Sequence, residues 1–226
     1  MMELKTQETA ATKVDFTKRE NFELYIIILL MIVSVLFIPV LKGVMAIAPI
    51  VYFFIERKVR NRTLEEVGFD TAYFKENILK TWKLILFVGI AMQLIYLFSY
   101  QNFFPQVLEH VLGRIPLDFS DLNPLLFLSI ALLAFGEEIV FRGLIQARLS
   151  KLMPVWVAIL ITSLLFAAMH IATGDATIVM VDLMSVFIDS VLFGIIFAKT
   201  RNIYIATLAH ILANTVALLS IYVFVI

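Results

Sequence analysis

Residues 135–142 read Phe135-Gly136-Glu137-Glu138-Ile139-Val140-Phe141-Arg142. They lie within an apolar run, Leu125 to Leu149, long enough to cross a bilayer. Two adjacent carboxylates and a guanidinium therefore stand at membrane depth. Each charge there costs about 2.5–3.5 kcal/mol on insertion scales, so such groups usually face a bundle interior and carry function. On a helix Glu138 and Arg142 are four apart and share a face. They are expected to pair, which makes Glu138 the structural partner of Arg142. Glu137 is turned about 100° from Glu138 by the helical pitch and is left for chemistry. An ion pair that merely fixes helix packing needs one carboxylate, and this run has two.

The surrounding composition sets the class. Of 226 residues 62% are hydrophobic and 16% charged, with 20 Phe and a mean hydropathy of +0.96. A soluble domain of this size has no way to hide so much apolar surface, so an all-α, polytopic transmembrane helix bundle is expected. The formal net charge is zero; with this hydrophobicity, no nucleic-acid partner is expected. There are no cysteines, which excludes disulfides and thiolate metal sites. No 20–50-residue period repeats, and no Pro/Gly/Ser linker interrupts the chain.

About seven to eight spans are expected in a single domain, 21–226, behind a polar N-terminal arm, residues 1–20. That arm lacks the pattern of a signal peptide and reads as disordered or lying on the cytoplasmic surface. The spans are Leu24–Leu41, Gly43–Ile55, Leu84–Tyr100, Leu125–Leu149, Val155–Ile171, Thr177–Ala198 and Ile203–Ile226. The first two read as a hairpin broken at Lys42-Gly43. Thr63–Lys80 reads as a loop with an interfacial helix, Asp70 or Thr71 capping its second half. Gln101–Pro124 reads as a polar loop with a short helix at Val107–Leu112. With the N-terminus cytoplasmic, Arg57, Lys58, Arg60, Arg62, Arg148, Lys151, Lys199 and Arg201 all fall inside. Lys42 and Arg114 fall on the opposite side.

Three histidines are present. His110 falls in the outer loop, where solvation is its default role. His170 and His210 stand in spans that carry no Asp, Glu, Lys or Arg. His210 and Asn214 are four apart and point the same way. Glu137, His170, His210 and Asn214, on three helices, are expected to converge on one cavity. Together they suffice for hydrolysis: a base, a second base or ligand, and hydrogen-bond donors for an oxyanion. Straight spans would place His170 near the outer end of its helix and His210 nearer the inner end of its own. Asp182 and Asp189 share one face of the sixth span and are expected to line the cavity or cap polar neighbours, with a ligand or proton-relay role as the alternative.

Three motifs follow one another on successive apolar segments: Glu137-Glu138-x-x-x-Arg142, Phe166-x-x-x-His170 and His210-x-x-x-Asn214. This ordered set resembles the CPBP family, the group of type II CAAX prenyl endopeptidases and bacteriocin-processing or Abi proteins. The core resemblance covers residues 125–216. Asn61 to Phe69 also looks like the family's loop before the core. The resemblance implies an intramembrane endopeptidase in which Glu137 and His170 activate a water. It assigns His210 and Asn214 to the oxyanion hole, with Glu138, Arg142 and Phe166 supporting. A Zn site from Glu137, His170 and His210 would also suit such chemistry. Metal-free glutamate catalysis without a cofactor is preferred, because no HExxH occurs and the donors come from three helices.

The expected function is thus hydrolysis of a peptide bond in a membrane-associated or prenylated CAAX-type protein. The partners are a peptide or lipidated protein substrate and membrane lipid. The expected location is a prokaryotic plasma membrane. Two other classes stand beside it. One is a non-catalytic bacteriocin-immunity or scaffold protein of the same fold. The other is a transporter using the buried carboxylates, for which inverted repeats would be expected and none is visible.

Overall fold

The computed structural model describes residues 2–114 and 122–225, excepting the side chains of residues 2–17 and Arg114. Ten α-helices and no strand occur among the described residues. They are α1 Met2–Leu36, α2 Lys42–Val59, α3 Phe74–Leu86, α4 Met92–Phe103, α5 Pro105–Arg114, α6 Pro124–Glu138, α7 Ala147–Leu152, α8 Val155–Met169, α9 Ala176–Thr200 and α10 Ile203–Phe224. π-Helical stretches at Phe87–Ala91 and Ile139–Gln146 join α3 to α4 and α6 to α7. Among the described residues, five continuous helices are long and apolar enough to cross a membrane: Pro39–Val59, Phe74–Phe103, Pro124–Leu152, Ala176–Thr200 and Ile203–Phe224. The apolar α8 is shorter, at fifteen residues.

The fold is the expected helical bundle, with corrections in its details. The separate interfacial helix before the third span does not exist: α3 runs into α4 through the π turn, making one element from Phe74 to Phe103. Asp70 does not cap that helix either. Its carboxylate accepts from the Ala72 backbone N–H in a turn before α3 begins. The first span ends at Leu36, five residues before its expected limit, because Pro39 has no N–H to continue the ladder and biases Ile38 out of the helical region. The helix α1 also runs without a break across the expected boundary at Glu20. Residues 115–121 of the expected polar loop lie outside the described residues.

Outward faces are apolar and inward faces mixed, as a bilayer requires. On α6, Leu125, Leu128 and Leu132 are exposed while Leu126, Ile130 and Ala134 are buried. Helix starts use side-chain caps where the chain re-enters the bundle. Asn123 accepts from Leu126 N–H, Asp175 from Thr177 N–H and Asn202 from Tyr204 N–H, so each satisfies a donor that the helix cannot. The loop before α3 is anchored on α10. Gly68 adopts φ +101°, and its carbonyl accepts from Ile203 N–H at 2.8 Å. A Cβ there would lie 3.1 Å from the Ile203 side chain, so the position favours glycine twice over.

The α1–α2 hairpin is closed by charges at its basic end. Glu23 accepts from Tyr52 Oη and from Arg60, each at 2.5 Å, and Glu20 accepts from Arg62 at 2.8 Å. Glu56 is nearly buried and receives Arg60, Arg62 at 3.1 Å and Arg148 at 3.0 Å. Arg148 brings α7 into the same network. Burial would raise the Glu20 carboxyl, but the Arg62 hydrogen bond and charge, with Lys151 and Arg148, hold it below the ordinary range. A depressed carboxyl contributes stability above its unfolded value and loses it as pH falls through the folded one. Thermal unfolding in detergent should therefore move to lower temperature below about pH 5, a shift that Glu20→Gln should reduce. Glu56→Gln should cost about 3 kcal/mol, because it leaves arginines without their buried counter-charge.

Candidate functional site

Glu137 and Glu138 end α6, just where the helix widens into the π stretch Ile139–Gln146. Such local widenings occur often at functional sites. The two carboxylates separate as their spacing implies. Glu138 is fully buried, and its Oε1 lies 3.1 Å from Arg142 Nη1. Arg142 is also fully buried, and its Nη2 donates to the Ser190 carbonyl at 2.7 Å and to Ser190 Oγ at 2.9 Å. Glu137 instead faces a cavity of about 510 Å³ and is about one-third exposed.

Two imidazoles meet it there. His170 Nε2 lies 3.9 Å from Glu137 Oε1, and His210 Nε2 lies 3.6 Å from Glu137 Oε2. Each ring's other nitrogen is held by a second group. His170 Nδ1 is 2.8 Å from the Phe166 carbonyl, which can only accept, so Nδ1 carries the proton. His170 Nε2 then presents its lone pair toward the cavity. His210 Nδ1 is 2.9 Å from Glu138 Oε1, the same oxygen that pairs with Arg142. Asn214, one turn beyond His210, also lines the cavity.

Aromatic rings fix the orientation of these groups. Phe166 packs 4.6 Å from His170, 4.7 Å edge-on to Phe141, and 5.2 Å from the Arg142 guanidinium carbon. Phe193 stacks on His210 at 4.6 Å and lies 5.6 Å from the same guanidinium. Arg142 is thus held between two rings, an arrangement that suits a planar, weakly hydrated cation.

The apparent mismatch in depth between the histidines disappears in three dimensions. α10 does not start level with the end of α7. Its first residue, Ile203, packs so closely on Gly143 that a Cβ there would sit 2.7 Å from Ile203 Cδ1. From that contact Glu137 is six residues back and His210 seven residues on. At about 1.5 Å per residue both lie about 10 Å deeper. His170 ends α8 fifteen residues after its start, and α8 follows directly on α7, so it returns to the same level.

All the site residues expected from the sequence border this region, and Phe166 supports it. Sequence reasoning missed Ser190 and Phe193, which hold Arg142 and His210. A serine and one of many phenylalanines on an apolar helix carry no distinguishing signal. Asp182 and Asp189 line the cavity as expected, each with a partner. Asp189 accepts from Gln93 Nε2 at 2.9 Å and Tyr96 Oη at 3.1 Å. Asp182 lies 3.7 Å from His110, so that histidine is packed on α9 rather than solvated.

Residues 120–216 match the family model described as Type II CAAX prenyl endopeptidase Rce1-like. All three motifs fall inside that segment. That segment, under half of the chain, is thus similar to the family that the motifs resemble, and the apolar helices make the chain an integral membrane protein. No curated protein and no solved structure matches it.

The buried cluster makes a specific demand on Arg142. Arg142→Met should cost about 3–5 kcal/mol, because Glu138 would keep its burial and lose its cation. Arg142→Lys should recover little of this, since an ammonium lacks the planar fork that spans Glu138 and Ser190. Thermal unfolding of the purified variants in detergent checks both outcomes.

Proposed function

We propose that this chain is an intramembrane endopeptidase that hydrolyses a peptide bond of a membrane-associated or prenylated, CAAX-type substrate. One observation carries the reading. Of two adjacent carboxylates, Glu138 is occupied by Arg142 and His210, while Glu137 is open to the cavity with two imidazoles against it. A purely structural pair has no use for the second carboxylate.

In this mechanism a water lies between Glu137 and His170. Glu137 takes its proton as the oxygen attacks the scissile carbonyl carbon. The carbonyl π pair moves onto oxygen, and that oxyanion receives hydrogen bonds from His210 Nε2–H and the Asn214 amide. Glu138 Oε1 accepts from His210 Nδ1–H, which turns the Nε2 edge of the ring toward the cavity. Collapse of the tetrahedral intermediate breaks the C–N bond, and the proton held on Glu137 passes to the leaving amine. Phe166 and Phe193 keep both rings in place and exclude water from the Arg142 side.

The metal alternative would draw on Glu137, His170 and His210. No three His, Cys, Asp or Glu side chains among the described residues are grouped to hold a metal ion. The proposed steps use none, because no HExxH occurs and the donors come from three helices. A prokaryotic plasma membrane with the N-terminus inside is the location proposed, supported by the basic residues gathered at one end of the bundle.

The test is cleavage by the purified protein of a farnesylated CAAX peptide and an unmodified hydrophobic peptide, with and without a chelator. At least one should be cleaved in both conditions. Glu137→Gln should lower turnover by about a thousandfold or more, and Asn214→Ala by about a hundredfold. Cleavage lost to the chelator would restore the metal reading. Cleavage of neither peptide, with Glu137→Gln indistinguishable from the parent, would favour a binding or scaffold role.

A further inference from the structure

Lys42 opens α2 at the end of the bundle opposite the basic loops, where a cation runs against the charge asymmetry of the rest of the chain. It is half-buried, and its side chain lines the cavity that holds Glu137. Its Nζ donates to the carbonyl of Ile171 at 2.5 Å. Ile171 directly follows His170, so the ammonium sits beside the water-activating end of the site. Among the described cavity residues, Lys42 is the single lysine or arginine.

An ammonium has three donors, and Ile171 takes one. The cation makes no ion pair with any carboxylate among the described residues. Arg142, by contrast, has Glu138, and the basic-end arginines share Glu20, Glu23 and Glu56. A half-buried charge without a counter-ion is held at a cost. That cost is offset when an anion enters the cavity. A CAAX-type substrate brings one, because its cleaved bond lies close to the free end of the chain.

We propose that Lys42 binds the C-terminal α-carboxylate of the substrate peptide. This rests on the protease reading above and names how that site recognises its substrate. Lys42 is a positioning residue: it fixes the chain end and so sets which peptide bond, a few residues upstream, reaches the water at Glu137. The Ile171 carbonyl orients the ammonium before the carboxylate arrives. The site would discriminate against a peptide whose end is amidated.

The test separates recognition from chemistry. Full-length Glu137→Gln protein in detergent is titrated with a fluorescent farnesylated CAAX peptide, once as the free acid and once as the C-terminal amide. The acid should bind about tenfold more tightly, as one charge-assisted hydrogen bond allows. Adding Lys42→Met should bring the acid-to-amide ratio to about one, and adding Lys42→Arg should restore a preference. A merely structural role for Lys42 would weaken both peptides and leave the ratio intact. Cleavage by protein with Glu137 present is read in parallel. A Lys42-dependent ratio without any cleavage would sink the protease reading and leave the anchor standing. An unchanged ratio in Lys42→Met, no acid preference with Lys42 present, or no binding of either peptide would overturn the anchor whatever the cleavage assay gives.

Discussion

The contact on which the site depends is Glu138 Oε1 held between Arg142 Nη1 and His210 Nδ1, at 3.1 and 2.9 Å. In a low-dielectric interior a carboxylate is tolerated only with compensation of this kind. The compensation has structural consequences beyond charge. It ties α10 to the π stretch after α6, and through Ser190 it ties both to α9. Gln146 repeats the link one turn later by donating to the Gly194 carbonyl at 2.8 Å. Two rungs thus hold the π stretch and α9 in a constant register.

With Glu138 committed, its neighbour can differ in every respect that matters for chemistry. Glu137 shares the helix terminus yet opens on the cavity, and the imidazoles near it are each oriented from behind. His170 is fixed by a backbone carbonyl and His210 by a carboxylate. The carbonyl turns the Nε2 edge of His170 toward Glu137, and the carboxylate of Glu138 does the same for His210. The same divergence of environment gives adjacent acids opposite tasks in other hydrolytic sites.

Much of this was legible in the sequence because charge at membrane depth is expensive. That cost singled out Glu137, Glu138 and Arg142, and the i, i+4 rule paired the last two correctly. The spacing of His210 and Asn214 likewise placed both on the cavity. What local rules missed was set by tertiary contact. The third span absorbed the expected interfacial helix because the chain continues helically through Phe87–Ala91, with no proline or glycine pair to stop it. The depth of His210 depended on where α10 begins, which is decided by the Ile203–Gly143 packing and by the Gly68 loop clasping Ile203. Neither contact has a sequence period. Ser190 and Phe193 were invisible for the same reason: their role comes from facing Arg142 across two helices.

The division of labour between the two glutamates is the central claim, and it is tested most directly by thermal unfolding and peptide cleavage measured side by side on Glu137→Gln and Glu138→Gln. The expected result is that Glu137→Gln unfolds within a few degrees of the parent and cleaves nothing, while Glu138→Gln unfolds roughly 5–10 °C lower, as loss of a buried counter-charge implies. A Glu138→Gln protein as stable as the parent, or a Glu137→Gln protein that still cleaves, would contradict the assignment of structure to one carboxylate and chemistry to the other.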